Sequence, residues 1–556
     1  MGRLFLLGIV CLTGTLAMAS TQSKQGIVQR TKIPGEYIMS FKTADNVRTM
    51  GQFAASLKEP GLELMSRESD GSVKVLLSRP TDNGYKTLVL VKENSVDRFT
   101  WQSLSRNNQY IKVQPNYRYT GDLKEDDTPI VDPNMDPRIE EQYHHDVMGN
   151  TQVWSLLDTT NKIIVAVTDD GVALDHEDLK ANIFTNPNEI PGNSIDDDNN
   201  GYVDDVQGWN FVKNNNDPRP PSTWNSHGTH VAGIVAATKD NGVGIAGTAS
   251  QVAMIMPLNF AGGGGFTSAI VAETYRYAAD NGADIITTSY RIDGFVGDEA
   301  VEEAIGYVYD KGLIHFNSAG NGSQDSPRRK AFEELILVCN TIADDGSKTD
   351  IKSSSSNYGE GIDVCAPGEG AGGILSTLPG NKYGRMGGTS MASPNAAAVA
   401  ALIWSQNPTW TRDMVVAQLL GSTDNIDSVN TKYVGKLGSG RVNSLRALTE
   451  NLESPQLKLI KESKGGKVKK GAKALNLRFT HRLDPKTVIA DHFVLTGPQG
   501  AVSVSIARPY KMGSDYVALS TDILDPGSYS LSIDSGLTDP FGASVAGNKS
   551  ISFSVE

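Results

Sequence analysis

Cysteine is scarce. The 556-residue chain holds three, too few to frame a disulfide-stapled fold. One of them, Cys11, lies in an N-terminal apolar leader, so Cys339 and Cys365 permit a single bridge. Each sits in an apolar run (LILVC and IDVC) where free cysteine packs as a small hydrophobe, and packing without a bridge is the expectation. Positive charge is also in deficit, with 51 Lys and Arg against 64 Asp and Glu and a formal net charge of -13. Nucleic acid is thereby excluded as a main partner, because phosphate binding needs concentrated Lys and Arg. No run reaches the ~18 apolar residues of a bilayer span. The expected molecule therefore has no membrane span, and it is read as a monomer.

What is present begins with MGRLFLLGIVCLTGTLAMAS. Arg3, the apolar run Leu4 to Val10 and Ala17-Met18-Ala19 form the charged, hydrophobic and small-residue parts of a secretory signal peptide, assigned to residues 1–19. Export to the outside of the cell, its surface or a periplasm follows. Within residues 20–120, strand-like runs at Glu36–Lys42, Leu62–Met65, Val73–Leu77, Thr87–Val91 and Tyr110–Val113 alternate with helical spacing at Asn46–Leu57 and Val96–Leu104. That order is close to a small α+β ferredoxin-like domain with one extra strand. Residues 121–135 are polar and rich in Asp and Pro, as an exposed linker open to proteolysis would be.

Residues 136–450 change character. KIIVAV, VAMIMPL, ADIITTS, GLIHFNSA and LILVC each suit a strand buried on both faces, and GTHVAGIVAA, TSAIVAETYRYAADNG, AVEEAIGYVYDKG and SPNAAAVAALIWSQ each suit a helix. Such alternation predicts an α/β domain, a parallel sheet with helices on both faces and right-handed crossovers. Its site should lie at the carboxyl ends of the strands. From 455 to 556 the runs are short and alternating (LNLRF, FVLTG, VSVSI, YVAL, YSLSI, ISFSV), which predicts an all-β sandwich. The lysines between Lys458 and Lys473 suit a solvated face and edge-strand protection.

Acyl transfer at an amide needs a nucleophile, a base, a group that orients the base, and donors for an oxyanion. Asp169 ends the buried run KIIVAVT, His227 opens the helical run in NSHGTHVAG, and Ser390 stands at a helix start in GGTSMASP. Asn321 follows the strand GLIHFNSA with a side-chain amide to offer. Free N–H groups and the positive dipole end at a helix start suit a developing oxyanion. Taken singly, Asp after a strand is usually a turn residue and Ser before an apolar run is usually a cap. Their occurrence together, in the order Asp, His, Asn, Ser within one α/β domain, is what points to catalysis. The α/β-hydrolase alternative lacks its G-x-S-x-G, since Thr precedes Ser390 and Met-Ala follows it.

From Asp136 to Leu448 the sequence resembles the subtilisin-like serine proteases, through VAVTDDGV, HGTHVAG, SAGNG, GTSMASP and GSGRVN. The resemblance implies that Ser390 attacks a peptide carbonyl, His227 moves the proton, Asp169 orients the imidazole, and Asn321 helps hold the oxyanion. It implies polypeptide substrates, which strand addition would lay along Ser289 on one side and, since glycine permits close backbone approach, along Gly262, Gly263, Gly264 and Gly265 on the other. It also implies that residues 20–120 are an inhibitory propeptide, the chain's own intramolecular partner, and the tail looks like a bacterial immunoglobulin-like module. Four residues depart from the pattern: Asp170, Asn395, and the pair Tyr290-Arg291 after Ser289, a pair that leaves the preferred substrate side chain open. The alternative reading is a non-catalytic secreted binding or adhesion protein on a protease scaffold. Finally, Asp196, Asp197, Asp198, Asn199, Asn200, Asp204 and Asp205 crowd ten positions around Gly201. Carboxylates this close repel unless a cation sits among them. A structural Ca²⁺ on Asp196, Asp198, Asn200, Asp204 and Asp205 is expected. An EF-hand is not, because position 207 is Gln.

Overall fold

A computed structural model describes residues 29–42, 74–77, 85–92, 111–120, 135–261, 266–344, 348–370, 372–460, 467–480, 482–507, 510–511, 516–547 and 549–556. Two compact units arise, Met1–Asp132 and Pro133–Glu556. In the first, strands β1 (Gln29–Lys42), β2 (Lys74–Leu77), β3 (Tyr85–Lys92) and β4 (Ile111–Thr120) form an antiparallel sheet in the order β2-β3-β1-β4. The strand run Leu62–Met65 and both helical runs expected in this unit lie outside the described residues.

The second unit is built on an eight-stranded sheet. Its central strand β5 (Ile163–Asp169) is the run KIIVAVT, buried along nearly its whole length. Parallel neighbours flank it: β7 (Ala253–Asn259) on one side and β8 (Ile285–Thr288) on the other. Beyond them lie β6 (Trp209–Asn210) at one edge and β9 (Ile314–Ser318), β10 (Leu335–Asp344) and β11 (Lys348–Lys352) at the other, with β12 (Val364–Gly370) also paired to β10. Every pairing is parallel except β10 with β11, so the sheet is mixed and mostly parallel.

Helices cover it: α1 (His227–Ala236), α2 (Ser268–Asp280), α3 (Glu299–Asp310), α4 (Thr389–Gln406) and α5 (Arg412–Gly421). Helix α4 is the most enclosed. Ala396 to Leu402 are fully buried, and their small side chains let the helix lie close on the sheet. A larger residue there would overpack the core at a cost of about 1–3 kcal/mol. No helix among the described residues is long and apolar enough to cross a membrane.

Cys339 and Cys365 form a disulfide, which corrects the expectation of plain packing. They stand opposite each other in the parallel register of β10 and β12, both fully buried. Sheet order, invisible in the separate runs LILVC and IDVC, makes them neighbours. Because the bridge spans a sequence separation of 26, it removes about 3.5 kcal/mol of unfolded-chain entropy. Thermal unfolding with a reductant present during refolding is expected to lower the midpoint by several degrees; an identical midpoint with and without reductant would show that no bridge forms in solution.

Residues after 455 form a four-stranded and a five-stranded sheet around one apolar cluster that includes Leu475, Leu477, Phe493, Leu519, Leu531 and Phe553. This region touches the helical layer. Arg482 Nη2 donates to Asp413 Oδ1 at 3.0 Å, Lys511 Nζ to Glu334 Oε1 at 2.6 Å, and Phe541 meets Trp410 edge to face.

Candidate active site

The carboxyl edge of the sheet gathers the candidate groups. Asp169 is the last residue of β5, and its two carboxylate oxygens both lie 2.9 Å from Nδ1 of His227. His227 opens α1, whose preceding residue Ser226 supplies no side-chain cap. The cap comes from elsewhere. Asp170 Oδ1 accepts the Gly228 N–H at 2.8 Å, and its Oδ2 accepts the His227 N–H at 3.4 Å. The aspartate that departs from the family pattern thus ties the helix of the histidine to the strand of Asp169. Gly228 is required for that approach, since a Cβ there would stand 2.5 Å from the Gly171 carbonyl oxygen and 2.8 Å from the Asp169 Cβ.

These contacts set the charges. Burial pulls the His227 imidazole down, but the adjacent Asp169 carboxylate and its hydrogen bond more than reverse this, leaving it at about 9. Asp170 is pushed up to about 6, by burial first and then by the neighbouring Asp169 charge, against the two N–H bonds that it accepts.

Ser390 lies in the first turn of α4, where Pro394 lacks the N–H that would bond the Ser390 carbonyl four residues back. The Ser289 hydroxyl takes that place, donating to the Ser390 carbonyl oxygen at 2.7 Å. In return Ser390 Oγ donates to the Ser289 carbonyl at 2.9 Å. Among the described residues no hydrogen bond joins Ser390 to His227. The structure therefore pairs Asp169 with His227 and Ser390 with Ser289, and it shows no nucleophile–base bond.

Asn321 follows β9 at the same edge. Its Oδ1 accepts from Thr389 N at 3.0 Å and Thr389 Oγ1 at 2.9 Å, which fixes the amide plane beside the nucleophile and leaves Nδ2 as the free donor end. Gly388, with φ +129°, admits this packing, because a Cβ on it would meet Asn321 Nδ2 at 2.8 Å. Asn395 is buried elsewhere, bonded to the Pro367 carbonyl and the Thr248 hydroxyl, and takes no part in the site. Gly262, Gly263, Gly264 and Gly265 lie outside the described residues.

The acidic loop rearranges the expected ligand set. Asp196 accepts the N–H groups of Asn200 and Gly201, and Asp204 accepts those of Gly192, Asn193 and Ser194, so both carboxylates close turns. The Asn200 side chain donates its amide to Asp205 and accepts from Tyr202 N. What converges is Asp198, Asp205 and a residue the sequence reading missed, Glu189, with one oxygen from each within 4.8 Å of the others. Glu189 Oε2 is buried without a partner, although its Oε1 accepts from Asp197 N and Asp198 N. Burial raises the Asp205 carboxyl, against the bonds from Tyr277, Asn200 and Asn186. Three hard-oxygen side chains, with an orphaned carboxylate oxygen on one of them, suit a divalent cation. Glu189 lies seven residues before the dense run, and nothing in local spacing marks it.

A carboxylate-held imidazole and a serine at a helix start, on the carboxyl edge of a parallel sheet, are the equipment of a serine hydrolase. Known proteins narrow this. The profile of the Subtilase family matches residues 160–445, and the chain belongs to that family. It is a subtilisin-like serine endopeptidase. Thermitase of Thermoactinomyces vulgaris is 33% identical over 308 residues, covering 55% of this chain and 95% of that protein. A thermophilic serine proteinase of Bacillus sp. (strain AK1) is 29% identical over 421 residues, covering 75% and 88%. The halolysin-like extracellular serine protease Nep of Natrialba magadii is 31% identical over 336 residues, covering 59% and 56%.

Proposed function

We propose that the chain is an exported endopeptidase made as a zymogen, with Ser390, His227 and Asp169 as its catalytic groups. The observation that carries this reading is the Asp169–His227 pair at the end of β5, with Ser390 heading α4 at the same sheet edge. Ser390 Oγ turns from the Ser289 carbonyl to His227 Nε2 by a change of χ1, gives up its proton, and attacks the scissile carbonyl. Asn321 Nδ2 and the Ser390 backbone N–H receive the oxyanion. His227 then protonates the leaving amine, and water releases the acyl group by the same route in reverse. Substrate lies extended along Ser289, bonded through its backbone.

Export rests on the leader at 1–19 and accords with a relative named as extracellular. Residues 20–120 act as an inhibitory propeptide that is cut off within 121–135; 136–450 form the peptidase, and 455–556 an immunoglobulin-like module. The test is casein hydrolysis by the exported protein beside its Ser390→Ala form, with both shown to be folded. Cleavage by the first alone supports the reading; cleavage by neither moves weight to a restricted substrate, a retained propeptide or the binding role.

A structural Ca²⁺ held by Glu189, Asp198 and Asp205 would neutralise the acidic loop. A cation bound at about 100 times its Kd contributes about 2.7 kcal/mol. EDTA is therefore expected to lower the thermal midpoint of the wild type, and to lower that of Glu189→Gln much less. A wild-type midpoint indifferent to EDTA would retire the site.

A further inference from the structure

The segment that follows Ser289 carries a charge surplus that the catalytic reading does not use. Tyr290 is anchored inward: its hydroxyl meets that of Tyr275 at 2.7 Å, its ring packs 4.5 Å from that of Phe260, and its carbonyl accepts from Asn317 Nδ2. Arg291 comes next, with its side chain 77% exposed. The carboxylate nearest to it is already committed. Asp293 accepts Arg329 N at 3.0 Å on Oδ1, and Arg329 Nε and Nη2 at 3.2 and 2.5 Å on Oδ2, while Arg329 itself is buried. Arg291 Nε reaches Asp293 only at 3.8 Å, an ion pair without a hydrogen bond.

A third guanidinium, that of Arg328, donates to the Val296 carbonyl of the same segment at 3.0 Å. Of the next acids along the chain, Asp298 and Glu302 are occupied, and Glu299 stands exposed in the first turn of α3. Asp298 caps α3 and accepts the Ser268 hydroxyl, and Glu302 accepts Gly297 N. Residues 291–296 thus face three guanidiniums and one carboxylate, and the least satisfied cation is the exposed one.

Its position matters because Ser289 is bonded reciprocally to Ser390. The Arg291 Cα lies at most about 7 Å from that of Ser289, two residues along the chain, and an arginine side chain spans a comparable distance. We propose that Arg291 is a specificity residue, which selects substrates with an acidic side chain on the acyl side of the scissile bond. This deepens the endopeptidase reading and rests on it. The chemistry is an Arg–carboxylate pair with the geometry of a planar fork, partly cleared of water by the bound peptide.

The test compares kcat/KM for fluorogenic peptides that differ only in the residue before the scissile bond, Glu, Gln or Lys, using the mature wild type, Arg291→Gln and Arg291→Glu. For an exposed pair the wild type should favour Glu over Gln by about fivefold at low salt, shrinking as salt screens the pair. Arg291→Gln should bring that ratio to one, and Arg291→Glu should favour Lys over Gln. A wild-type ratio of one, or a ratio that persists in Arg291→Gln, overturns the inference while casein cleavage leaves the endopeptidase reading standing. Failure of the wild type on casein as well as on every peptide overturns both.

Discussion

Ser390→Ala is expected to remain folded and to lose about 10⁶ of kcat on casein, the magnitude found when the serine of subtilisin is removed. The covalent route ends with the hydroxyl, and only positioning and oxyanion binding are left. Asn321 should cost far less, about 10² to 10³, as its counterpart does in subtilisin, because the Ser390 N–H still faces the oxyanion. The structure decides which variant isolates that donor. Asn321→Ala also strips Thr389 N and Oγ1 of their acceptor at the start of α4. Asn321→Asp keeps the acceptor and replaces the donor by an oxygen, so its loss reports the oxyanion contact with the helix start preserved. Equal losses at 390 and 321, measured as kcat on proteins of matched thermal midpoint, would defeat the assignment of roles.

The second large effect concerns Asp169. Because Asp169 raises His227, to about 9, kcat/KM is expected to climb with pH along an acid limb that reports this group. In Asp169→Asn the carboxylate that raises the imidazole most is gone, whereas the burial that lowers it and the smaller pull of Asp170 remain. The limb is therefore expected to move to lower pH, towards or below the ordinary value near 6.5. The plateau of kcat should fall by about 10⁴, the loss seen for the aspartate of subtilisin. A pH profile of each protein checks both. A limb that stays in place would mean that it reports some group other than His227.

The same pair bears on stability, and the sign follows from linkage. His227 is raised on folding, so its contribution is complete below about pH 6.5 and is lost as pH rises through about 9.

Much of the peptidase unit is legible in the sequence. KIIVAVT is apolar without alternation, which is the pattern of a strand covered on both faces, and it became the centre of the sheet. GTHVAGIVAA and SPNAAAVAALIWSQ read as helices; α1 matches the first to within one residue at each end, and α4 begins four residues before the second. Asp169, His227, Asn321 and Ser390 stand out in the sequence because each lies at or just past the boundary of such a run.

Local pattern determined those features, since period, caps and strand ends depend on residues a few positions apart. It could not show that Asp170 caps the helix of His227, 57 residues away. Nor could it show that Ser289 repairs the carbonyl that Pro394 leaves free, or that Glu189 rather than Asp196 and Asp204 faces Asp198 and Asp205. The Cys339–Cys365 bridge belongs with these, because it exists only once β12 lies beside β10 in register. Each of these contacts joins segments that meet through sheet order and packing, and a chain read residue by residue does not encode which distant neighbour fills a given hydrogen-bonding vacancy. By itself the sequence determined the elements and the kinds of chemistry at their ends; tertiary structure decided which side chains answer one another across them.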